Sequence, residues 1–312
     1  MRNGQIVGEG YHHHAGGPHA EANALTAAGD KARGATAYVT LEPCSHHGRT
    51  PPCADALLRA GVTRVVVACA DPNPVASGGA QRLRENGVLV EVGLLAEAAA
   101  EVNEQFLFSV RTGRPRVVLK AAASLDGRIA LPSGESQWIT GPAARRQAHR
   151  LRAECGAVLV GRRTVELDDP LLTARLPGVV NQPLRVVLDP SNRLSGRERI
   201  FNDSAPSWHV TGTIDLRNLL RELHDRGVRG LLVEGGAVTA GHFLKANLAD
   251  RLELFIAPRL LGDGPAWLSG LDLATLASAP QLNKLRSRRF GPDLWISANL
   301  RGDDTFGRPT GP

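Results

Sequence analysis

The pattern that most constrains this chain lies between residues 19 and 53. His19-Ala20-Glu21 is followed, after a strand-like stretch, by Pro43-Cys44-Ser45-His46-His47-Gly48-Arg49-Thr50-Pro51-Pro52-Cys53. His19, Cys44 and Cys53 are metal-type ligands, and only a fold that returns the chain to one point can bring them together. The local signals agree with such a fold. After His19 the run from Ala20 to Ala28 is rich in helix formers, which puts His19 and Glu21 on a first helical turn. Pro51 and Pro52 announce a helix starting near Cys53 and running through Leu58. A helix N-terminus favours thiolate over thiol. Residues 36–41 and 63–69, rich in Val, Thr and Tyr, read as strands between these helices, so the expected unit is a βαβ-type sheet.

The chemistry explains the residue types. One imidazole and two thiolates suit zinc and leave its fourth tetrahedral position open, as catalytic rather than structural sites do. Water held there falls from a pKa of about 15.7 to roughly 7. Glu21, a carboxylate the metal does not need, is then the catalytic proton carrier, to a ring nitrogen first and to departing ammonia later. This is the layout of a zinc hydrolytic deaminase. The gap between Cys44 and Cys53 is longer than the C-x-x-C of nucleoside and nucleic-acid deaminases, which points to a separate subfamily. Reading the three residues as buried thiols and a surface histidine leaves the joint occurrence of the two elements unexplained. Cys69, in an apolar strand run, and Cys155, after a predicted helix, read as packing residues. His12, His13 and His14 read as a solvated polar turn, because three successive side chains point in different directions.

A chain of 312 residues with 42% hydrophobic content favours two domains over one. Four cysteines, two of them in the zinc set, and no charged-then-apolar leader at Met1-Arg2-Asn3-Gly4 argue against a disulfide scaffold and for the cytoplasm. No apolar run approaches the roughly 18 residues of a spanning helix, so no membrane role is expected. The 37 basic and 31 acidic residues leave +6, which suits a phosphorylated small-molecule substrate or cofactor. Nucleic acid is not the expected partner. The arginines are spread through both halves, and the tightest group, Arg286, Arg288 and Arg289, has only Phe290 as aromatic company and reads as a solvated face.

The first unit is expected to span residues 1–110 and to close with a helix over 97–109, before a polar linker at 111–115, Arg111-Thr112-Gly113-Arg114-Pro115. A second unit, 116–301, opens with a strand at 116–119. It continues with short apolar strands at 156–161, 184–188 and 230–233 separated by helical stretches, an open α/β sheet. Residues 302–312 lack apolar periodicity and read as a flexible tail. Val233-Glu234-Gly235-Gly236-Ala237 follows a strand and opens a helix, a place where backbone amides can hold phosphate, although it is not a G-x-G-x-x-G fingerprint. A merely tight turn is the other reading.

Taken in order, HAE at 19, LEPCSHHGRTPPC from Leu41, DPNP from Asp71, SLDGR from Ser124, SGESQWIT from Ser133, DDPLLTAR from Asp168 and VEGG from Val233 cover nearly the whole chain. Together they resemble the bifunctional riboflavin-biosynthesis deaminase/reductase family. The resemblance implies an N-terminal cytidine-deaminase-like three-layer α/β/α domain that deaminates a diaminopyrimidine ribosyl phosphate. It also implies a C-terminal dihydrofolate-reductase-like α/β domain that reduces the ribosyl group to ribityl with NADPH. By motif it places zinc on His19, Cys44 and Cys53, with Glu21 as catalytic proton shuttle. It implies NADPH contacts at Ala122, Trp138, Thr164, Asp168, Pro190 and the backbone of Gly236, Ala237, Val238, Thr239, Ala240, Gly241 and His242. Substrate contacts fall on Lys120, Ser136, Arg152, Leu172, Arg175 and Glu234, where a guanidinium can grip a phosphate through two hydrogen bonds. Arg162 and Arg163 beside Thr164 either favour the extra phosphate of NADPH or are solvated. A homo-oligomer through the reductase domain is also expected.

The family opens with a helix and a first strand carrying a PNPxVG element, whereas this chain opens at Asn3-Gly4-Gln5-Ile6-Val7-Gly8, like the turn and second strand of that hairpin. Residues 5–10 are then expected as an exposed edge strand, with part of the deaminase pocket missing. Either a start placed too late or a weakened deaminase would follow. After DPNP, Val75-Ala76-Ser77-Gly78-Gly79 reads one residue short of the family's glycine-basic-glycine pattern. Two rival functions remain at this level. One is a reductase carrying a crippled deaminase domain. The other is a nucleic-acid-binding or nucleic-acid-editing protein, motivated by the pI near 9.6.

Overall fold

The computed structural model describes residues 1–13, 16–46 and 51–300, and the chain forms two compact units that divide between Arg111 and Thr112. His14 and the 302–312 tail lie outside the described residues, whereas Tyr11, His12 and His13 are exposed and belong to no helix, strand or turn.

The first unit runs α1 (Ala20–Ala28), β1 (Thr36–Leu41), α2 (Cys53–Arg59), β2 (Arg64–Cys69), α3 (Gly79–Glu85), β3 (Leu89–Val92), α4 (Ala96–Val102) and α5 (Glu104–Thr112). Its three strands lie parallel in the order β1-β2-β3. The central strand is apolar on both faces, as a strand covered from both sides must be. Val65 and Val67 are fully buried with Leu57 of α2 and Leu83 of α3. Val66 is buried as well, and α4 packs against β1 and β2.

Two expectations for this unit are corrected. Residues 5–10 form no strand: the chain there crosses α1 so closely that a Cβ on Gly10 would stand 2.4 Å from the Ala20 carbonyl and the Ala24 amide. Pairing with β1 is limited to Met1, which exchanges backbone hydrogen bonds with Thr36. The expected helix over 97–109 is two helices. Asn103 leaves helical geometry at φ −99° and its amide side chain takes the Ala99 carbonyl at 2.9 Å, competing with the backbone ladder. The second of these helices continues through Thr112 and stops at Gly113, whose φ of +67° suits a residue without a Cβ, so the expected linker begins inside α5.

The second unit comprises β4 (Arg116–Ser124), α6 (Pro142–Glu154), β5 (Ala157–Gly161), α7 (Arg162–Asp168), β6 (Leu184–Asp189), β7 (Ser207–Thr211), α8 (Leu216–Asp225), β8 (Gly230–Val233), α9 (Ala237–Lys245), β9 (Arg251–Ala257), β10 (Asn283–Phe290) and β11 (Asp293–Asn299). Eight strands form one sheet in the order β10-β11-β9-β4-β8-β5-β6-β7. Pairing is parallel from β9 to β7 and antiparallel where β11 joins β9 and β10. The strand expected over 116–119 extends to Ser124, because its second half pairs with β9. Val117 and Leu119 point to a core with Leu220 and Leu223 of α8 and Phe243 of α9. Val118 points the other way, to Leu151 of α6, Val165 of α7 and Phe255. Helices therefore cover both faces, and the carboxyl ends of β4, β8, β5 and β6 open together along one edge. Ligands of open α/β sheets bind at such an edge.

Candidate active sites

In the first unit each ligand stands where an element begins or ends. His19 is the extended residue that enters α1, with φ −70° and ψ 164°. Cys44 follows the end of β1, and Cys53 is the first residue of α2, after Pro52 in extended backbone. His19 Nδ1 lies 3.5 Å from Cys44 Sγ and 3.3 Å from Cys53 Sγ, and the Cys53 backbone N–H donates to Cys44 Sγ at 3.3 Å. The three donor atoms lie within 4.8 Å of one another, and no other such group of His, Cys, Asp and Glu occurs among the described residues. The side-chain hydrogen bond from the Cys53 thiol, joined by its backbone N–H, pulls the Cys44 thiol down to about 5, against its burial. Donating that side-chain bond, with burial, pushes the Cys53 thiol up. The pair thus holds one proton that a soft dication would displace, and the donor set fits zinc. Burial raises the Glu21 carboxyl, partly offset by a hydrogen bond at the start of α1 and by its bond with Cys53. A carboxyl beside the ligands with a raised pKa suits a group that takes and returns a proton. Cys155 lies in the core, and Cys69 donates to the Ala96 carbonyl at 3.2 Å, neither near the ligand set.

In the second unit Glu234, just past β8, is clamped by two cations. Arg152 of α6 donates Nε to Oε1 at 2.5 Å and Nη2 to Oε2 at 2.8 Å, and Lys120 of β4 reaches Oε2 at 3.5 Å. Burial alone would raise the Glu234 carboxyl, but Arg152 and Lys120 overcome it and hold it at about 2. Arg152 also donates to the Thr173 carbonyl at 3.3 Å, and Arg175 donates to the Thr173 hydroxyl at 3.1 Å. Burial together with the Arg152 and Arg199 charges lowers the Arg175 guanidinium, so cations from three segments gather around Arg175, a setting that suits a phosphate. Ser136 donates to Asp168 at 3.0 Å. Leu172 is buried with φ +49°, an uncommon backbone setting for a residue with a side chain. Sequence reasoning missed His149, whose Nδ1 lies 3.1 Å from the Thr173 carbonyl. Its place one helical turn before Arg152 on α6 was the available signal.

The expected NADPH residues distribute unevenly. Gly236 precedes α9 without a side-chain cap, a Cβ there would meet nothing within 4 Å, and the amides of Ala237, Val238 and Thr239 form the helix's first turn. A Cβ on Gly161 would stand 2.9 Å from Thr239 Oγ1, and on Gly235 2.6 Å from Thr239 Cβ, so the ends of β5 and β8 close around Thr239. Thr164 and Asp168 lie on α7, which follows β5 directly, and Pro190 follows the neighbouring β6. These residues fit a dinucleotide laid across the carboxyl edge. Ala240 and Gly241 are different: both are buried, the Ala240 N–H bonds to the Gly236 carbonyl, and a Cβ on Gly241 would stand 1.9 Å from the Ser269 carbonyl. They set helix packing, and His242 is exposed on the same helix. Ala122 lines the α6 side of β4, and Trp138 is exposed, with the Arg145 guanidinium 4.6 Å above its ring. Arg162 is engaged by Glu166 and, at 3.5 Å, by Asp189.

Comparison with known proteins covers both units. The cytidine and deoxycytidylate deaminase zinc-binding region matches residues 1–69, and the RibD C-terminal domain matches residues 115–296. The riboflavin biosynthesis protein RibD of Escherichia coli is 45% identical over 95% of this chain and 90% of its own length. That of Aquifex aeolicus is 42% identical over 95% and 89%. Among solved structures, RibD of Acinetobacter baumannii superposes with a TM-score of 0.88 at 40% identity, covering 96% of this chain and 90% of that one. A Thermotoga maritima diaminohydroxyphosphoribosylaminopyrimidine deaminase/5-amino-6-(5-phosphoribosylamino)uracil reductase gives 0.87 at 35% identity over 96% and 90%.

Proposed function

This chain belongs to the RibD family of riboflavin-biosynthesis proteins, and from that premise we propose which of its residues carry each reaction. It is a bifunctional enzyme of riboflavin biosynthesis, joining a zinc-dependent pyrimidine deaminase to an NADPH-dependent reductase. The observation that carries the assignment is the convergence of His19, Cys44 and Cys53 beside the Glu21 carboxyl.

His19, Cys44 and Cys53 hold the zinc, which when bound supplies a water acidic enough to be deprotonated near neutral pH. Glu21 takes one proton of that water and delivers it to the pyrimidine ring nitrogen, then takes the second from the hydroxyl added to the ring and delivers it to the leaving amino group, so that a carbonyl forms and one ammonia departs per water consumed. In the reductase unit NADPH supplies the hydride to the sugar carbon. The first-turn amides of α9 hold its phosphates, with Thr164 and Asp168 of α7 alongside. Arg175 takes the substrate phosphate. Glu234 holds Arg152 and Lys120 in place, and we assign Lys120 to the substrate. Ser136, held by Asp168, and Leu172 bound the sugar.

We take residues 111–115 as the stretch of chain that passes from one catalytic unit to the other. We place self-association on the reductase unit, where β10 is an edge strand exposed on both faces. All four cysteines are free thiols and no described helix is long and apolar enough to cross a membrane, which supports a cytoplasmic enzyme. The assignment is tested by ammonia release from the diaminopyrimidine ribosyl phosphate without NADPH. Wild-type protein with one zinc per chain should release it, and Glu21→Gln should keep its zinc and lose about 10²–10⁴ in rate. Equal rates would remove Glu21 from the mechanism.

A further inference from the structure

Glu42 lies two residues before a zinc ligand and belongs to no role described so far. Its own backbone is fixed, since its N–H donates to the Cys69 carbonyl at 2.8 Å, one step past the end of β1. Its carboxylate accepts three backbone N–H groups: Asp71 at 3.2 Å on Oε2, and Gly78 at 3.1 Å and Ala80 at 2.9 Å on Oε1. Asp71 and Gly78 are the two ends of the loop that joins β2 to α3, so one side chain closes that loop.

The sequence explains why the contact comes from a distance. Gly78 is the residue before α3 and has φ +94°, so it carries no side chain that could cap the helix. Gly79 lies so close beneath Pro43 that a Cβ would stand 1.7 Å from the Pro43 carbonyl oxygen. The first amides of α3 therefore have no local acceptor, and a carboxylate at that end is also favoured by the helix dipole. Three donors converge and none of them accepts. A carboxylate satisfies all three, whereas an amide would turn its NH₂ toward one of them.

Between its two ends the loop rests on the metal-ligand segment. The Ser45 N–H donates to the Ala76 carbonyl at 3.1 Å, the Ser45 hydroxyl donates to the Ser77 carbonyl at 2.5 Å, and Ala76 packs against Cys44 and Cys53. Asp71 is buried within the loop and accepts the Asn73 N–H at 2.9 Å. The loop is thus a wall beside the ligand trio, and Glu42 sets where that wall stands.

We infer that Glu42 is a positioning residue of the deaminase: by tying loop 71–78 to the Cys44 segment it fixes the wall of the pyrimidine pocket without touching substrate or metal. This inference rests on the deaminase reading above. The test uses the zinc-loaded full-length protein and the variants Glu42→Gln and Glu42→Ala. Amide hydrogen exchange should rise across peptides covering 71–85 in both variants and remain unchanged in the reductase unit. KM for deamination should increase about tenfold in Glu42→Gln and more in Glu42→Ala, as expected for losing bonds to a charged acceptor. kcat should stay within about twofold, the signature of lost ground-state binding. Zinc should remain at one per chain, and the reductase half-reaction is the control for folding. Unchanged exchange and KM would overturn the inference. So would loss of zinc and kcat at constant KM, which would limit Glu42 to supporting Cys44. If Glu42→Ala loses its first unit, Glu42→Gln decides alone, because its remaining oxygen still serves Gly78 and Ala80. A wild-type protein that releases no ammonia overturns the deaminase reading instead, and the exchange result then decides whether the tie exists.

Discussion

Replacing Glu234 by Gln removes one charge from the interior and leaves two. Arg152 and Lys120, with side chains only 12% and 16% exposed, then face each other without a counter-ion. In the wild type the fall of this carboxyl from an ordinary 4.5 to about 2 corresponds to about 3 kcal/mol at roughly 1.4 kcal/mol per pH unit. Breaking a buried ion pair by removing one partner costs about 3–5 kcal/mol, which agrees. For a unit of this size that loss lowers the melting temperature by roughly 6–12 °C. The chain offers a selective probe, because Trp138, Trp208, Trp267 and Trp295 are its four tryptophans and all lie in the second unit. Tryptophan fluorescence therefore reports reductase unfolding alone. The pH dependence has a definite sign. The folded carboxyl lies below its unfolded value, so its contribution is complete above about pH 4.5 and is lost as the pH falls toward about 2. The gap between wild type and Glu234→Gln should be full near pH 7 and more than half gone by about pH 3. A gap under about 1 kcal/mol at pH 7, or one that does not narrow on acidification, would refute the reasoning.

Cys44→Ser should lose zinc and ammonia release while keeping NADPH oxidation on supplied deaminated substrate, read by metal analysis and absorbance. Gly241→Ala should destabilise the second unit by about 1–3 kcal/mol, because the new methyl meets the Ser269 carbonyl at 1.9 Å; an unchanged tryptophan melt would contradict this. Arg175→Met should raise the substrate KM of reduction by about 10–100-fold with little change in the KM for NADPH, as expected for losing a charge-assisted grip on phosphate. Gly10→Ala should lower the thermal stability of the first unit, followed by circular dichroism, since a Cβ there would meet the α1 backbone.

The zinc site was legible because its chemistry is carried by residue types that rarely serve another purpose, and because Pro52 and the alanine-rich run after His19 mark the helix starts that hold them. α1 and β1 appeared with their observed limits for the same reason. The sheet of the second unit was half legible. β5, β6 and β8 are continuous apolar runs, whereas β10 (NKLRSRRF) is exposed nearly throughout and offers no alternation to read. β9 escaped because both of its faces are buried and its Arg251 and Glu253 bond to each other along one face of the strand. The break at Asn103 depends on one side chain taking a helical carbonyl, and the absence of a strand over residues 6–10 goes with two glycines pressed against a helix. Neither has a periodic signature. Glu42 was hidden inside a recognised motif, because the groups it binds lie some thirty residues onward and only the fold brings them back.

The central claim is that one chain carries two separable reactions in a fixed order. It is tested most directly by giving the zinc-loaded protein the diaminopyrimidine ribosyl phosphate and following ammonia and NADPH together, with Glu21→Gln alongside. Wild type should release ammonia without NADPH and then oxidise one NADPH for each ammonia released. The variant should do neither, yet oxidise NADPH when the deaminated compound is supplied. NADPH oxidation by the variant on the undeaminated substrate, or none by wild type after ammonia release, would contradict it.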